Sequence, residues 1–179
     1  MATSGSKDFE LDVSEYIEEA FERCGFEVRT GYDLKTAKRS LNLLLADWAN
    51  RGLNQWTIKQ RSVTMIQGDG EYALGEDVID VLLVVRQVNP NLKIWPIPDN
   101  STDVIYYDAL TRMDDADTFV NTMDIPFRFY PCLAAGLAYY LSLKRAPDRA
   151  QLLKAVYEEE FQRAAEEDRD RASFNVAPK

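Results

Sequence analysis

One stretch limits the possible folds more than any other: residues 126–144, PFRFYPCLAAGLAYYLSLK. Between Cys132 and Leu143 only Gly136 and Ser142 interrupt apolar residues, and no charge appears. A helix that is apolar on every side must be covered on every side. The stretch falls short of the about 20 residues needed to cross a bilayer. It therefore reads as the central helix of a soluble bundle. Ala134, Ala135, Gly136 and Ala138 are small and let neighbouring helices approach, while Phe127, Phe129, Tyr130, Tyr139, Tyr140 and Leu141 supply bulk. Pro126 or Pro131 suits a first turn, where a missing N–H costs nothing. Lys144 and Arg145 suit the last turn, where the helix dipole favours cations. Pro147 then opposes simple continuation.

Charge and composition remove several functions. The 179 residues carry 30 acids against 21 bases, a net charge of −9. Tight non-specific binding to nucleic acid depends on neutralising phosphates, so this balance argues against it. It argues equally against anionic membranes. With no histidine in the chain, histidine triads and histidine metal ligands are excluded. Cys24 and Cys132 each sit in apolar helical surroundings and read as small core residues, which fits a reducing compartment. The scattered glycines form no phosphate-binding loop of either common type. No cofactor or metal is expected. Residues 1–7 are small and polar with no apolar run behind them, so no signal peptide is expected.

Helical periodicity places the other helices. Residues 13–24 put Ile17, Ala20, Phe21 and Cys24 on one face, with Glu15, Glu18, Glu19 and Glu22 outside. Asp12 with Glu15 resembles a capping box, and Gly25 suits the position just past the helix end. Asp33 is the expected N-cap of a second helix over residues 34–50. Its stripe is Leu34, Ala37, Leu41, Leu44, Leu45 and Trp48, and its outer face carries Lys35, Lys38 and Arg39. A last helix is expected over residues 147–171, with Leu152, Leu153, Val156, Tyr157, Phe161, Ala164 and Ala165 as its stripe.

The middle of the chain changes character. Residues 56–65 mix β-branched and polar residues in alternation, and Gly68-Asp69-Gly70 predicts a turn that returns residues 71–74 as a strand. Residues 78–88 read as a short turn leading into a strand. Two further strands are expected at 92–97 and 103–107, the first at a sheet edge because of Pro96 and Pro98. Trp48 lies on a core stripe, while Trp56 and Trp95 flank strands and read as core or interface. The expected fold is mainly α: a helical bundle with a small antiparallel β-sheet insertion and an extended C-terminal arm. Residues 1–55 and 109–171 form the bundle, 56–108 the insertion and 172–179 the arm.

Several runs carry a resemblance. IEEAFERCG at residues 17–25 and RTGYDLKTA at 29–37 resemble the opening of the head-to-tail adaptor proteins of short-tailed, double-stranded-DNA phages. SLNLLLADWANRGLNQW at 40–56 is similar to that family's most recognisable run, and IWPIPD at 94–99 and GLAYYL at 136–141 continue the match. The acidic segment at 158–174 is similar to the family's C-terminal segment. The resembling runs are spread over most of the chain and follow the family's order. One departure stands out: family members usually have more sequence between the strand around residues 81–86 and the Trp-Pro strand, which residues 87–92 bridge here. Either the sheet is compact or a segment is absent from the sequence.

The resemblance implies a structural virion protein. Such proteins dock as a ring, usually dodecameric, beneath the portal at the head–tail junction of a particle assembled in the bacterial host cytoplasm. The ring extends the DNA channel, supports DNA retention and ejection, and carries the next tail component, a nozzle or tail tube. DNA passes without specific binding and no membrane is involved. C-terminal segments of the family commonly contact portal, which makes Arg171, Phe174, Asn175 and Val176 the portal-binding candidates. A ring of identical subunits needs head-to-tail contacts. Glu15, Glu18, Glu19 and Glu22 of one subunit facing Lys35, Lys38 and Arg39 of the next would supply them. The alternative is that both faces are solvated or pair within one chain, since exposed pairs contribute only about 0–1 kcal/mol each. Asp114, Asp115 and Asp117 are candidates for an acidic channel lining that repels phosphates, or equally an ordinary solvated surface. The rival function is a tail-associated cell-wall hydrolase using two carboxylates among residues such as Asp108, Glu158 and Glu159. A helical chaperone or small regulatory module is a further rival.

Overall fold

The computed structural model describes residues 9–52, 56–81, 86–88 and 91–167. They form four α-helices, α1 (Val13–Cys24), α2 (Gly31–Asn50), α3 (Tyr130–Arg145) and α4 (Ala150–Glu167), and six strands. The chain divides into two compact units, residues 1–47 with 115–179, and residues 48–114. The fold is mainly α with an inserted antiparallel β region, as the sequence predicts. No helix among the described residues is long and apolar enough to cross a membrane.

In the helical unit α3 is the centre. Its residues Cys132, Leu133, Ala134, Ala135, Gly136, Leu137, Ala138, Leu141 and Ser142 are all buried. A 3-10 turn (Phe127–Phe129) leads in, and Pro131 occupies the first turn of α3. A second 3-10 turn (Pro147–Arg149) reverses the chain into α4. α1 runs parallel to α3: the Tyr16 and Tyr130 rings meet edge-on at 6.1 Å, and Cys24 Sγ reaches the Ala138 carbonyl at 3.3 Å. α4 runs back along α3, with the Tyr139 and Tyr157 rings stacked at 6.1 Å. At Gly136 the neighbouring helices leave no room for a side chain. A Cβ there would lie 2.9 Å from both Leu44 Cδ2 of α2 and Tyr157 Cε2 of α4. The small-residue patch read from the sequence thus includes a position where two neighbouring helices pack against bare backbone. The α4 stripe is narrower than predicted. Leu153, Tyr157 and Ala164 are buried, but Leu152 is 67% exposed and Val156 37%. These two sit about 100° round the helix from Leu153 and Tyr157.

The β unit corrects the predicted pairing. β1 (Ile58–Thr64), β6 (Val104–Thr111) and β3 (Val78–Val81) form one antiparallel sheet, and β2 (Glu71–Ala73), β5 (Asn91–Lys93) and β4 (Arg86–Val88) a second. The turn at residues 68–70 does not return β2 onto β1. Gly68, at φ 82°, donates its N–H to the Pro98 carbonyl, and Ile94 N–H donates to the Gly70 carbonyl. The turn is therefore tied to residues 94–98, and β2 pairs with β5 in the register Tyr72↔Leu92. β5 is central rather than at an edge. It stops at Lys93, before Pro96 and Pro98, so no ladder N–H is lost. The sheet region also extends beyond residue 108, because β6 continues to Thr111. Its inward positions Tyr107, Ala109 and Thr111 alternate as a half-buried strand requires. Tyr107 and Ala109 share a core with Tyr72 and Leu92.

Candidate assembly surfaces

The α1 helix is fixed at both ends by groups named in the sequence. Asp12 Oδ1 accepts from Glu15 N–H at 2.8 Å, and Glu15 Oε2 accepts from Asp12 N–H at 2.9 Å. The other free donors of the first turn go to the loop before α3: Val13 N–H to the Asn121 carbonyl and Ser14 N–H to the Phe119 carbonyl, both 3.0 Å. At the far end Gly25, at φ 79°, donates to the Glu22 carbonyl at 2.8 Å, and Phe26 donates to the Phe21 carbonyl at 2.9 Å. This is the paired closure of a left-handed C-cap. The Arg149 guanidinium lies against Gly25 and within 3.5 Å of the Arg23 carbonyl, where the helix dipole favours a cation.

These ends leave the acidic face of α1 unevenly occupied. Glu15 is used in the cap, and Glu19 pairs with Arg23 at 2.7 Å one turn on. Glu18 and Glu22 are exposed, with no ion-pair partner among the described residues. Like charges one turn apart repel by a few tenths of a kcal/mol, so the helix carries this pair at a small cost.

The α2 helix begins earlier than predicted, at Gly31, and its cap is Thr30 rather than Asp33. Thr30 Oγ1 accepts from Asp33 N–H at 3.3 Å, while Asp33 Oδ2 accepts from Thr30 N–H at 3.2 Å and from the Thr30 hydroxyl at 2.9 Å. The carboxylate three residues into the helix closes the box that the threonine opens. Asp33 also pairs with Arg145 at the end of α3, and Lys144 Nζ donates to Ser40 Oγ at 2.8 Å. The Thr30 hydrogen bond and then Arg145 hold the Asp33 carboxyl below its usual range, against the opposing effect of burial.

The three cations assigned to the outer face of α2 separate. Lys38 donates to the Asp117 carbonyl and lies over the Phe119 ring at 5.7 Å, so it is committed within its own chain. Lys35 and Arg39 remain exposed, with no ion-pair partner among the described residues. Asp114, Asp115 and Asp117 are all exposed. Asp114 belongs to the β unit, and Asp115 and Asp117 to the helical unit. Ala116 between them is buried and donates its N–H to Asn42 Oδ1 at 3.0 Å. Arg171, Phe174, Asn175 and Val176 lie outside the described residues.

The three tryptophans differ. Trp48 is buried on α2, Trp56 is half-buried, and Trp95 is 87% exposed, which removes a core role for Trp95. Of the carboxylates weighed for hydrolysis, Glu159 pairs with Arg163 at 3.0 Å, and the same guanidinium reaches Glu160 at 3.0 Å. Asp108 stands on β6 in the β unit. Among the described residues no group of three or more acids and cysteines is placed to hold a metal ion. The Asp33–Arg145 and Lys38–Asp117 contacts had no local signal in the sequence beyond cations at suitable helix positions. Their partners lie 112 and 79 residues away.

No protein-family model matches the chain, and no curated protein matches it.

Proposed function

We propose that this chain is a head-to-tail adaptor of a short-tailed, double-stranded-DNA phage: a structural protein, not an enzyme, that docks as a ring, twelvefold by the family pattern, beneath the portal. The observation that carries the reading is the resemblance. The runs at residues 17–25, 29–37, 40–56, 94–99 and 136–141 follow the family's order across most of the chain. The charge layout supports it. One helical unit displays exposed acids, Glu18 and Glu22, on α1, and exposed bases, Lys35 and Arg39, on α2, none with an ion-pair partner among the described residues. Opposite charges on two faces of one subunit suit a head-to-tail contact that repeats around a ring. In this reading the arm at residues 172–179, with Arg171 just before it, contacts portal through Arg171, Phe174, Asn175 and Val176. Acids such as Asp114, Asp115 and Asp117 face the channel, where they repel DNA phosphates and keep passage free of tight binding.

The subunit contact is tested by charge reversal. Lys35→Glu with Arg39→Glu is expected to abolish ring formation on portal, and Glu18→Lys with Glu22→Lys to do the same. Mixing the two variants should restore heterotypic neighbours. Unchanged assembly of either variant refutes the contact. Deleting residues 172–179 should abolish portal binding while leaving the helical circular dichroism unchanged; retained binding refutes the arm's role.

A further inference from the structure

A groove of about 450 Å³ runs between α1 and the first turns of α3. Its floor is Tyr130, Pro131 and Ala134, its rim is Glu15, Glu18 and Glu22 with the Glu19–Arg23 ion pair, and Phe9 and Leu11 also line it. It is thus an apolar slot under an acidic edge, and two of the edge carboxylates, Glu18 and Glu22, have no cation of their own among the described residues. We infer that this groove is the docking site, in the free chain, of the same chain's segment at residues 168–179.

Two independent features point to that occupant. The first is position. α1 and α3 run parallel, and α4 runs back along α3 and touches the 3-10 turn at Phe127–Phe129. Residue 167 is therefore toward the end of the helical unit where α3 begins, the end that supplies Tyr130 and Pro131 to the groove. The twelve residues that follow span up to roughly 40 Å when extended. The groove follows α1 only between Glu15 and Glu22, roughly 10 Å at 1.5 Å per residue. The second feature is chemistry. The segment DRDRASFNVAPK supplies Arg169 and Arg171 for the carboxylates, and Phe174 and Val176 for the apolar floor. It carries three bases against two acids in a chain of net charge −9. The exposed basic face of α2 on a second copy, Lys35 and Arg39 with Tyr32 beside them, is the competing occupant and is the one that takes this edge in the proposed ring; in the free chain no neighbour is present, while the segment at 168–179 is tethered within reach. The inference concerns the free chain and does not depend on the adaptor reading.

The test uses the full chain. Glu22→Cys is paired with Val176→Cys, and the rate of disulfide formation under mild oxidation is followed by mass on non-reducing gels. Cys24 and Cys132 are buried and do not compete. The expected product has monomer mass and forms at least tenfold faster than in a control pairing Arg39→Cys with Val176→Cys. Adding Arg169→Glu and Arg171→Glu, or raising the salt concentration, should slow it several-fold. Glu18→Cys with Val176→Cys repeats the measurement at a second exposed position, so misfolding of one variant does not decide the result. Equal rates at the groove and control positions, or disulfides formed only between chains, overturn the inference. Portal plays no part in this assay, so its outcome is separable from that of the adaptor reading.

Discussion

Gly136 offers the sharpest test of the helical packing. A methyl group placed there would meet Leu44 Cδ2 and Tyr157 Cε2 at 2.9 Å and Leu44 Cδ1 at 3.0 Å. Leu44 and Tyr157 are both fully buried, so neither side chain has solvent to move into. Overpacking of this kind costs about 1–3 kcal/mol. Alanine regains about 0.5–1 kcal/mol over glycine inside a helix. The packing loss wins, and Gly136→Ala should be destabilised by about 0.5–2 kcal/mol. At about 2–4 °C per kcal/mol for a chain of this size, Tm falls by roughly 1–8 °C. Gly136→Val adds two more carbons to the same space and should cost more than Gly136→Ala. Gly31→Ala is the control, because no atom lies within 4 Å of a Cβ at that position. It should be neutral or slightly stabilising. Circular dichroism at 222 nm during heating and during urea titration measures all three. If Gly136→Ala gains stability as Gly31→Ala does, the three-helix contact at Gly136 is not tight and the reasoning fails.

Two further outcomes follow from the helix ends. Gly25→Ala should lose about 1–2 kcal/mol, because a left-handed backbone costs an L-residue that much and the new methyl also displaces Arg149; thermal melts showing wild-type stability contradict it. Asp33 has a folded-state pKa below its ordinary value, so its contribution is present above that value, about 3.9, and is lost as pH falls through the folded value. Wild-type Tm should therefore fall more steeply than that of Asp33→Asn as pH drops from about 5 into the acid range, and parallel Tm profiles contradict the assignment.

How far the sequence could be read depended on the range of the interaction. α1 was legible to the residue, because its boundaries are set by Asp12, Glu15 and Gly25 within the helix or next to it. The character of α3 was equally plain, since an uncharged apolar run has few alternatives. The start of α2 was misplaced because Thr30 and Asp33 both favour capping, and the threonine won with the carboxylate as its reciprocal partner. Strand pairing was not legible. Each strand of the second sheet has only three residues, and their pairing is set by tertiary ties such as Gly68 to Pro98. For the candidate assembly surfaces the sequence placed the acidic residues of α1 on its outer face, where Glu18 and Glu22 are exposed. The use of Glu15 in the cap was legible from its spacing to Asp12, but the commitment of Lys38 within the chain was not, because its partners lie far along the chain.

The central claim is the adaptor role. Electron microscopy of this protein mixed with the portal protein from the same genome, beside the portal alone, tests it most directly. The account predicts a portal ring bearing an extra layer of density with the symmetry of the portal. Intact portal rings with no added layer would contradict it.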